Sequence, residues 1–97
     1  MIIVAGHISV EPGQRAAYVA DCRDIVERAR QTAGCLDFAI TADELTEGRI
    51  NIFERWGSRA ALDEFRAAGS SEDQSAAMLF ASVAEYDVSD FRQLLGD

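Results

Sequence analysis

The stretch Asn51–Phe65, NIFERWGSRAALDEF, holds the single tryptophan of this 97-residue chain. In its first part, Ile52, Glu54 and Trp56 alternate with other residues, as on one side of an extended strand. Ser58 is a favourable N-cap, and the apolar residues after it recur at a helical spacing. The stretch therefore predicts a strand that runs directly into a helix, with the chain's single tryptophan at the junction.

Similar patterns predict the other elements. Alternation predicts strands at residues 2–10, 35–40 and 84–91, in addition to the strand that ends at Trp56. A first helix is expected from Pro12, with Gly34 as the residue that ends it. After the helix that begins at Ser58, a capping box of Ser71 and Gln74 predicts that helix restarts. This last helical segment is expected to present four apolar residues: Ala77, Met78, Phe80 and Ala81.

The order strand, helix, strand, strand, helix, strand is that of an α+β, ferredoxin-like βαββαβ fold. Right-handed crossovers then place the helices on one face of a four-stranded antiparallel sheet. The even-numbered residues of the first strand are expected under the helices. With them we expect Leu36, Phe38, Ile40, Ile50, Ile52, Tyr86 and Val88.

The opposite sheet face is predicted to be polar and to have no helix over it. It can face water, or it can meet a second copy of the chain and bury Ile3 and Phe53 in a homodimer. Three polar side chains, His7, Asn51 and Asp37, are assigned to this dimer face. The same face is expected to carry Ser9, Cys35, Arg55, Asp87 and Ser89.

Length and composition exclude several classes of protein. One domain, residues 1–97, is expected from the length. The net charge of −8 and pI of about 4.5 argue against nucleic acid and anionic membranes as partners. No run is long enough to span a membrane, and the N-terminus is unlike a signal peptide. With the thiols of Cys22 and Cys35 reduced, a cytoplasmic location is expected; we predict no metal and no cofactor.

Three short motifs carry a family resemblance: EPG at residues 11–13, AGCLDF at 33–38, and FERWGSRAALDEF at 53–65. Together they resemble the antibiotic biosynthesis monooxygenase domain over nearly the whole chain, from about Ile2 to Val88. The resemblance implies a dimeric α+β barrel, in which two protomers stack their sheets and each keeps a ligand pocket between sheet and helices. Members of the family include cofactor-independent oxygenases of anthrones and quinols, and enzymes that degrade haem.

The resemblance also implies which residues line the pocket. The family's tryptophan at the end of strand three corresponds to Trp56. Its helix histidine corresponds to Phe65, or to Arg66 at a longer spacing, and is absent here. A strand-one asparagine found in the haem degraders corresponds to Gly6, and His7, one residue further on, points to the other face. These departures argue against haem ligation.

Several residues on the helix side are candidates for chemistry. Trp56 is expected to fill the core, which is compatible with a contact to a ligand, because a tryptophan that walls a pocket also packs. Glu54 is paired with an arginine, lies at the sheet edge, or acts as a base with a raised pKa. Tyr86 is a candidate to hydrogen-bond a phenolic substrate. Four further residues are expected to line the site: Phe65, Met78, Ile52 and Phe38.

Asn51 is expected on the polar face, opposite to Trp56. The two side chains lie on the same face only if the strand has a β-bulge between them. His7 is a possible general base, but its position favours a hydrogen bond at the dimer interface, with Asp37 or Asp87.

Two functions remain open at this stage. The first is a cofactor-independent monooxygenase of a small aromatic or quinol- or polyketide-type substrate, with Trp56, Glu54 and Tyr86 as its catalytic residues. The second is a non-catalytic dimeric module that binds a small apolar ligand, suggested by the missing helix histidine. Turnover of O2, as opposed to binding alone, separates the two.

Overall fold

The computed structural model of the chain describes residues 1–68 and 77–96. The described elements follow the predicted order of strand, helical segment, strand, strand, helix and strand. The strands are β1 (Ile2–Ser9), β2 (Cys35–Ala42), β3 (Arg49–Trp56) and β4 (Phe80–Asp87), and the helices are α1 (Arg15–Asp21), α2 (Arg23–Arg30) and α3 (Arg59–Ala68).

The four strands form one antiparallel sheet in the order β2-β3-β1-β4. The central strand β1 pairs along its whole length with both β3 and β4. The three described helices pack on the same face of this sheet, because residues of α2 and α3 share one core with β1 and β3 and residues of α1 share the other. The α+β, ferredoxin-like architecture predicted from the order of elements is thus confirmed.

Local chemistry explains where the helices begin and end. A 3-10 turn at Pro12–Gln14 opens the first helical segment, which is divided at Cys22 into α1 and α2. At α3, the Ser58 hydroxyl accepts a hydrogen bond from the Ala61 N–H at 3.2 Å, which confirms Ser58 as the N-cap. Within the described residues, no helix is long and apolar enough to cross a membrane.

Gly34 lies in the turn after α2 and is not the last residue of the helix itself. Its φ of +88° belongs to the left-handed region, and a Cβ there would be 2.5 Å from the Ala61 Cβ. The Gly57 N–H donates to the Gly34 carbonyl at 2.8 Å. The glycine therefore lets the turn before β2 lie against the start of α3.

Two clusters of buried side chains lie between sheet and helices. The larger surrounds Trp56 and holds Ile2, Val4, Ala29, Phe38, Leu62 and Phe65. The smaller lies toward the other end of β1 and holds Ile8, Val10 and Ile50. The even-numbered face of β1 therefore packs under the helices, as its alternation predicts.

The fourth strand begins earlier than predicted. Residues 84–91 were expected in the strand, whereas β4 spans Phe80–Asp87. Phe80 and Ala81, expected on a helix, are strand residues, because all eight positions of β4 pair with β1. The predicted capping box of Ser71 and Gln74 lies outside the described residues.

The prediction that Tyr86 shares the helix-facing side of the sheet is wrong. Tyr86 lies opposite Ile3 on β1, so its side chain is on the open sheet face, where it is 53% exposed. Asp87, expected on the open face, lies opposite Ile2 and is therefore on the helix side. The pairing with β1 decides which face each residue of β4 occupies, and alternation alone does not supply that register.

A β-bulge at the start of β2 reverses two further predictions. Cys35 lies opposite Trp56, and Asp37 lies opposite Arg55, so Leu36 is an additional residue between two successive pairs. Cys35 therefore packs against the core, although it was expected on the polar face. Leu36, expected in the core, is 50% exposed.

Candidate functional site

Trp56 is at the centre of an aromatic cluster on the helix-facing side. Its ring centroid is 5.1 Å from that of Phe65 on α3 and 6.5 Å from that of Phe38 on β2, which meets it edge-on. Phe38 and Phe65 are themselves 5.8 Å apart. The strand-to-helix junction at Ser58 brings these rings together, since it folds α3 back over the end of β3.

The Trp56 side chain has no exposed surface. It therefore borders neither solvent nor any internal space large enough for a water molecule. The core-filling interpretation of Trp56 is confirmed. A direct contact between Trp56 and a ligand stays a prediction, and it would require a neighbouring ring to move.

Glu54 is the polar member of this region. It lies two residues before Trp56 on β3 and so points to the same side of the sheet. The Trp56 indole Nε1–H donates a hydrogen bond to the Glu54 Oε1 atom at 3.0 Å. Burial raises the pKa of the Glu54 carboxyl, and the indole hydrogen bond and the charge of Arg66 only partly oppose this increase.

A second carboxylate lies in the same row of the sheet. Glu54 and Glu85 both lie opposite Val4, one on each side of β1. Glu85 binds two arginines of α3: its Oε1 accepts from Arg66 and its Oε2 accepts from Arg59 at 3.2 Å. These hydrogen bonds lower the pKa of Glu85, that from Arg66 most.

The two carboxylates therefore differ in their ability to take up a proton. Glu85 is ionised and paired, whereas Glu54 forms no salt bridge with any described residue. Of the three alternatives considered for Glu54, pairing with an arginine is thus excluded within the described chain. A half-buried carboxyl group with a raised pKa is typical of proton-transfer sites, although structural groups can show the same shift.

The expected lining residues divide between the two core clusters. Phe38 and Phe65 surround Trp56, whereas Ile52 and Met78 pack against the cluster of Ile8, Val10 and Ile50. Gly6, which lies opposite both Ile52 and Val83, is between the two clusters.

Gly6 also explains one departure from the family pattern. Its φ is +152°, and a Cβ at this position would be 2.0 Å from the Ser82 carbonyl oxygen and 2.7 Å from the Val83 Cα. β4 approaches β1 too closely here for a side chain. An asparagine cannot occupy this position without displacing β4.

Two surface pockets lie at the β2 edge, and the first shares one residue, Phe38, with the aromatic cluster. One, of about 370 Å³, is lined by Arg30, Leu36, Asp37, Phe38, Ala39 and Phe53. The other, of about 490 Å³, is lined by residues 41–45 and Asn51. Neither reaches Trp56 or Glu54, so the pocket expected between sheet and helices stays a prediction.

The polar residues assigned to the dimer face do lie on the open side of the sheet. β3 pairs with β1 without a register shift, so Asn51 and Trp56 are on opposite faces. Asn51 donates from Nδ2 to the Asp43 carboxylate at 2.9 Å, and Asp37 accepts from the Arg55 Nε at 2.8 Å. His7 stacks on Phe80, with ring centroids 5.7 Å apart.

The sequence does not predict Glu85, which acts on Glu54, or Arg59, which binds Glu85. Arg59 and Arg66 lie seven residues apart, which places them on one side of α3 after two turns. This spacing indicates that the two guanidinium groups can bind the same carboxylate. Their partner Glu85 required the β4 register, which the sequence pattern does not reveal.

No group of three or more histidine, cysteine, aspartate or glutamate side chains in residues 1–68 and 77–96 is arranged to hold a metal ion.

Residues 1–77 match the sequence profile of the protein family described as antibiotic biosynthesis monooxygenase. An uncharacterised protein of Synechocystis sp. is 36% identical over 62 residues, which cover 64% of this chain and 42% of that protein. The chain thus spans less than half the length of this relative.

Solved structures share the fold at low sequence identity. A Deinococcus radiodurans protein, described as a candidate antibiotic biosynthesis monooxygenase, has a TM-score of 0.81 at 20% identity, covering 99% of this chain and 100% of its own. A Mycobacterium tuberculosis protein has a TM-score of 0.77 at 22% identity, covering 95% and 98%. A Methanosarcina mazei protein has a TM-score of 0.73 at 17% identity, covering 88% and 89%. At these identities the likeness concerns the fold.

Proposed function

Because the chain belongs to the antibiotic biosynthesis monooxygenase family, we propose that it is a monooxygenase that oxidises a small aromatic or quinol- or polyketide-type substrate with O2, without metal or flavin. The observation that carries this proposal is the carboxylate of Glu54. It is half-buried on the helix-facing side, has a raised pKa, and is held by the indole of Trp56.

In the proposed reaction, Glu54 accepts the proton that the substrate must lose before it reacts with O2. A raised pKa makes the carboxylate a stronger base, as long as it is still ionised at the working pH. The resulting electron-rich anion donates electrons to O2. A ring CH2 group becomes a carbonyl: one oxygen atom enters the product, and the other leaves as water with the two hydrogens.

The proposed substrate position is between the two core clusters, over Gly6. Ile52 and Val83 lie on either side of Gly6, and Val83 is 41% exposed. Glu54 and Glu85 are in the next row of the sheet toward Trp56. A ligand here would have apolar contacts from Ile52, Met78 and Phe65, with the base at one end. These side chains orient the ring and exclude water.

We also propose that the protein is a homodimer that stacks its open sheet faces. Three aromatic side chains on that face are largely exposed: Phe53 at 41%, Tyr86 at 53% and Phe80 at 54%. Aromatic side chains exposed on a sheet face that no described helix covers are typical of an interface. His7, Asn51 and Asp37 would lie among them and orient the two protomers.

Oxygen uptake with model anthrones and quinols tests the proposed activity. We expect the wild type to consume O2 and Glu54→Gln to lose at least about 100-fold, since general base catalysis contributes roughly this much. Glu27→Gln is the matched control, because Glu27 is an exposed carboxylate on α2 that pairs only with Arg23 among the described residues. Uptake that Glu54→Gln leaves unchanged would contradict the role of Glu54.

A second candidate function is a non-catalytic dimeric module that binds a small apolar ligand. It is favoured by one observation: Phe65, which stands at the family's histidine position, packs into the aromatic cluster and offers no polar group. Under this alternative, Trp56 fluorescence would respond to ligand while O2 uptake would stay at the background rate with every substrate tested.

A further inference from the structure

We infer that Trp56 serves the reaction as a positioning residue, whose indole N–H holds the Glu54 carboxylate in one orientation and in its ionised form. This inference rests on the proposed function, because it gives Trp56 a role in that reaction. It replaces the expected contact between Trp56 and substrate with an action through Glu54.

The first support is the geometry of a single strand. Glu54 and Trp56 are alternate residues of β3, so their side chains leave the same face roughly 7 Å apart along the strand. The two long side chains bridge this distance, and the N–H to Oε1 separation is 3.0 Å. The length and direction of this contact depend only on the local strand and on the rotamers of two residues.

The second support is that the indole ring is held in place. Phe65 packs against it from α3 and Phe38 meets it from β2, at 5.1 and 6.5 Å between centroids. The ring has no exposed surface while Glu54 occupies this position, so the carboxylate and not water is the acceptor of its N–H. A buried donor without an acceptor is costly, and this ties the position of the carboxylate to that of the ring.

The third support is the distribution of donors around the carboxylate. Within the described chain, the indole is the hydrogen-bond donor that reaches Glu54, and it binds Oε1. The second oxygen is thereby left to accept a proton from substrate. The other titratable or charged groups facing Glu54 are Arg66 on α3, Glu85 on β4 and Cys35 on β2. Of these, Arg66 is bound to Glu85.

A pH titration of the wild-type protein tests the contact directly, without substrate. The chain has one tryptophan, so the indole Nε1–H gives a single NMR cross-peak. The ionisation of Glu54 is followed separately by the ¹³C resonance of its carboxyl carbon. We expect the indole cross-peak to shift over the same pH range. The movement should disappear in Glu54→Gln. A wild-type indole signal that does not follow Glu54 would overturn the inference.

A substitution separates the hydrogen bond from packing. Trp56→Phe removes the N–H and keeps an aromatic ring. Because the lost hydrogen bond favours the ionised carboxylate, the titration midpoint of Glu54 should move to higher pH. Phe65→Leu disturbs the same ring contact but leaves the N–H in place, so its midpoint should stay near the wild-type value. Equal movement in both variants, or none in Trp56→Phe, would show that the indole does not act on the carboxylate. If Trp56→Phe fails to fold, the wild-type titration still decides.

Kinetics connect the contact to the reaction. Below the wild-type titration midpoint of Glu54, Trp56→Phe should turn over about ten- to a hundredfold more slowly, as expected from the loss of one hydrogen bond to a charged group. At high pH the difference should narrow, since the carboxylate is ionised in both proteins. A uniform loss at every pH would indicate a packing defect. If the titrations succeed but no substrate is turned over, the monooxygenase proposal fails and the positioning of Glu54 stands.

Discussion

A Cβ atom placed on Gly6 would lie 2.0 Å from the Ser82 carbonyl oxygen on the neighbouring strand. Gly6→Ala must therefore push β4 away from β1 or strain the backbone. We expect it to lower the free energy of unfolding by about 2–4 kcal/mol, and Gly6→Asn by at least as much. Urea denaturation measures both.

Gly13 provides the matched control for this prediction. A Cβ on Gly13 would meet nothing within 4 Å. Gly13→Ala should therefore change the unfolding free energy by no more than about 0.5 kcal/mol. Similar effects of the two alanine substitutions would mean that the β1–β4 approach is not as close as described.

The absent helix histidine is the subject of a second prediction. Phe65 is 7% exposed and lies between Trp56 and Phe38. Phe65→His would place a polar ring in this apolar cluster, so we expect a loss of about 2–4 kcal/mol in unfolding free energy. Arg66→His, at the longer spacing and on the exposed side of α3, should change stability by less than about 1 kcal/mol. Thermal unfolding measures both losses of stability. A larger loss in Arg66→His than in Phe65→His would contradict this placement of α3.

Acid stability should depend on Asp43. Its carboxylate accepts hydrogen bonds from Asn51, Thr46 and Leu45, and these lower its pKa from 3.8 to about 2. A carboxyl whose pKa is lower in the folded state stabilises the protein above its unfolded pKa, and this contribution is lost as the pH falls toward the folded pKa. The urea midpoint of the wild type should exceed that of Asp43→Asn at pH 6, with the difference disappearing between pH values of about 4 and 2.

The Asp43 experiment contains its own control. The neighbouring loop is also held by Arg15, whose Nη1 donates to the carbonyl oxygens of Asp43, Thr46 and Arg49. The acceptors of these bonds are uncharged backbone carbonyl groups, so Arg15→Gln should differ from the wild type by an amount that does not change with pH. A pH-independent difference for Asp43→Asn would contradict the lowered pKa.

The proposed dimer can be tested on its apolar face. Phe53 is 41% exposed on the open side of β3, and an aspartate there would place a charge in the stacked interface. Phe53→Asp should convert the dimer to a folded monomer in light scattering at micromolar concentration. Leu45→Asp is the control, because Leu45 is 94% exposed in the β2–β3 loop and should leave the dimer intact. A wild-type monomer would contradict the proposal.

Much of the fold is predictable from local patterns, because each strand carries its own alternation. The side of β3 that packs under the helices follows from Ile50 and Trp56, and the start of α3 follows from Ser58. The errors arise where distant pairing decides. Leu36 and Cys35 exchange sides because a bulge inserts one residue, and Tyr86 faces outward because β1 sets its register. The alternation of apolar and polar residues along one strand indicates neither the bulge in β2 nor the register of β4 on β1.

The site divides in the same way. Glu54 and Trp56 are close in sequence, so their common side could be predicted, and the raised pKa of Glu54 agrees with the environment expected there. The two arginines that bind Glu85 require contact between α3 and β4. Local sequence patterns do not predict this contact, because Arg59 and Arg66 are 26 and 19 positions away from Glu85.

Isotope labelling tests the proposal that this chain inserts one atom of O2 into an aromatic substrate. The wild-type protein would be incubated with a model anthrone under ¹⁸O2, and product and water would be analysed by mass spectrometry. We expect one ¹⁸O atom in the new carbonyl group, the other in water, and no enzymatic product from Glu54→Gln. A product whose oxygen comes from water, or the absence of any product above the uncatalysed rate, would contradict it.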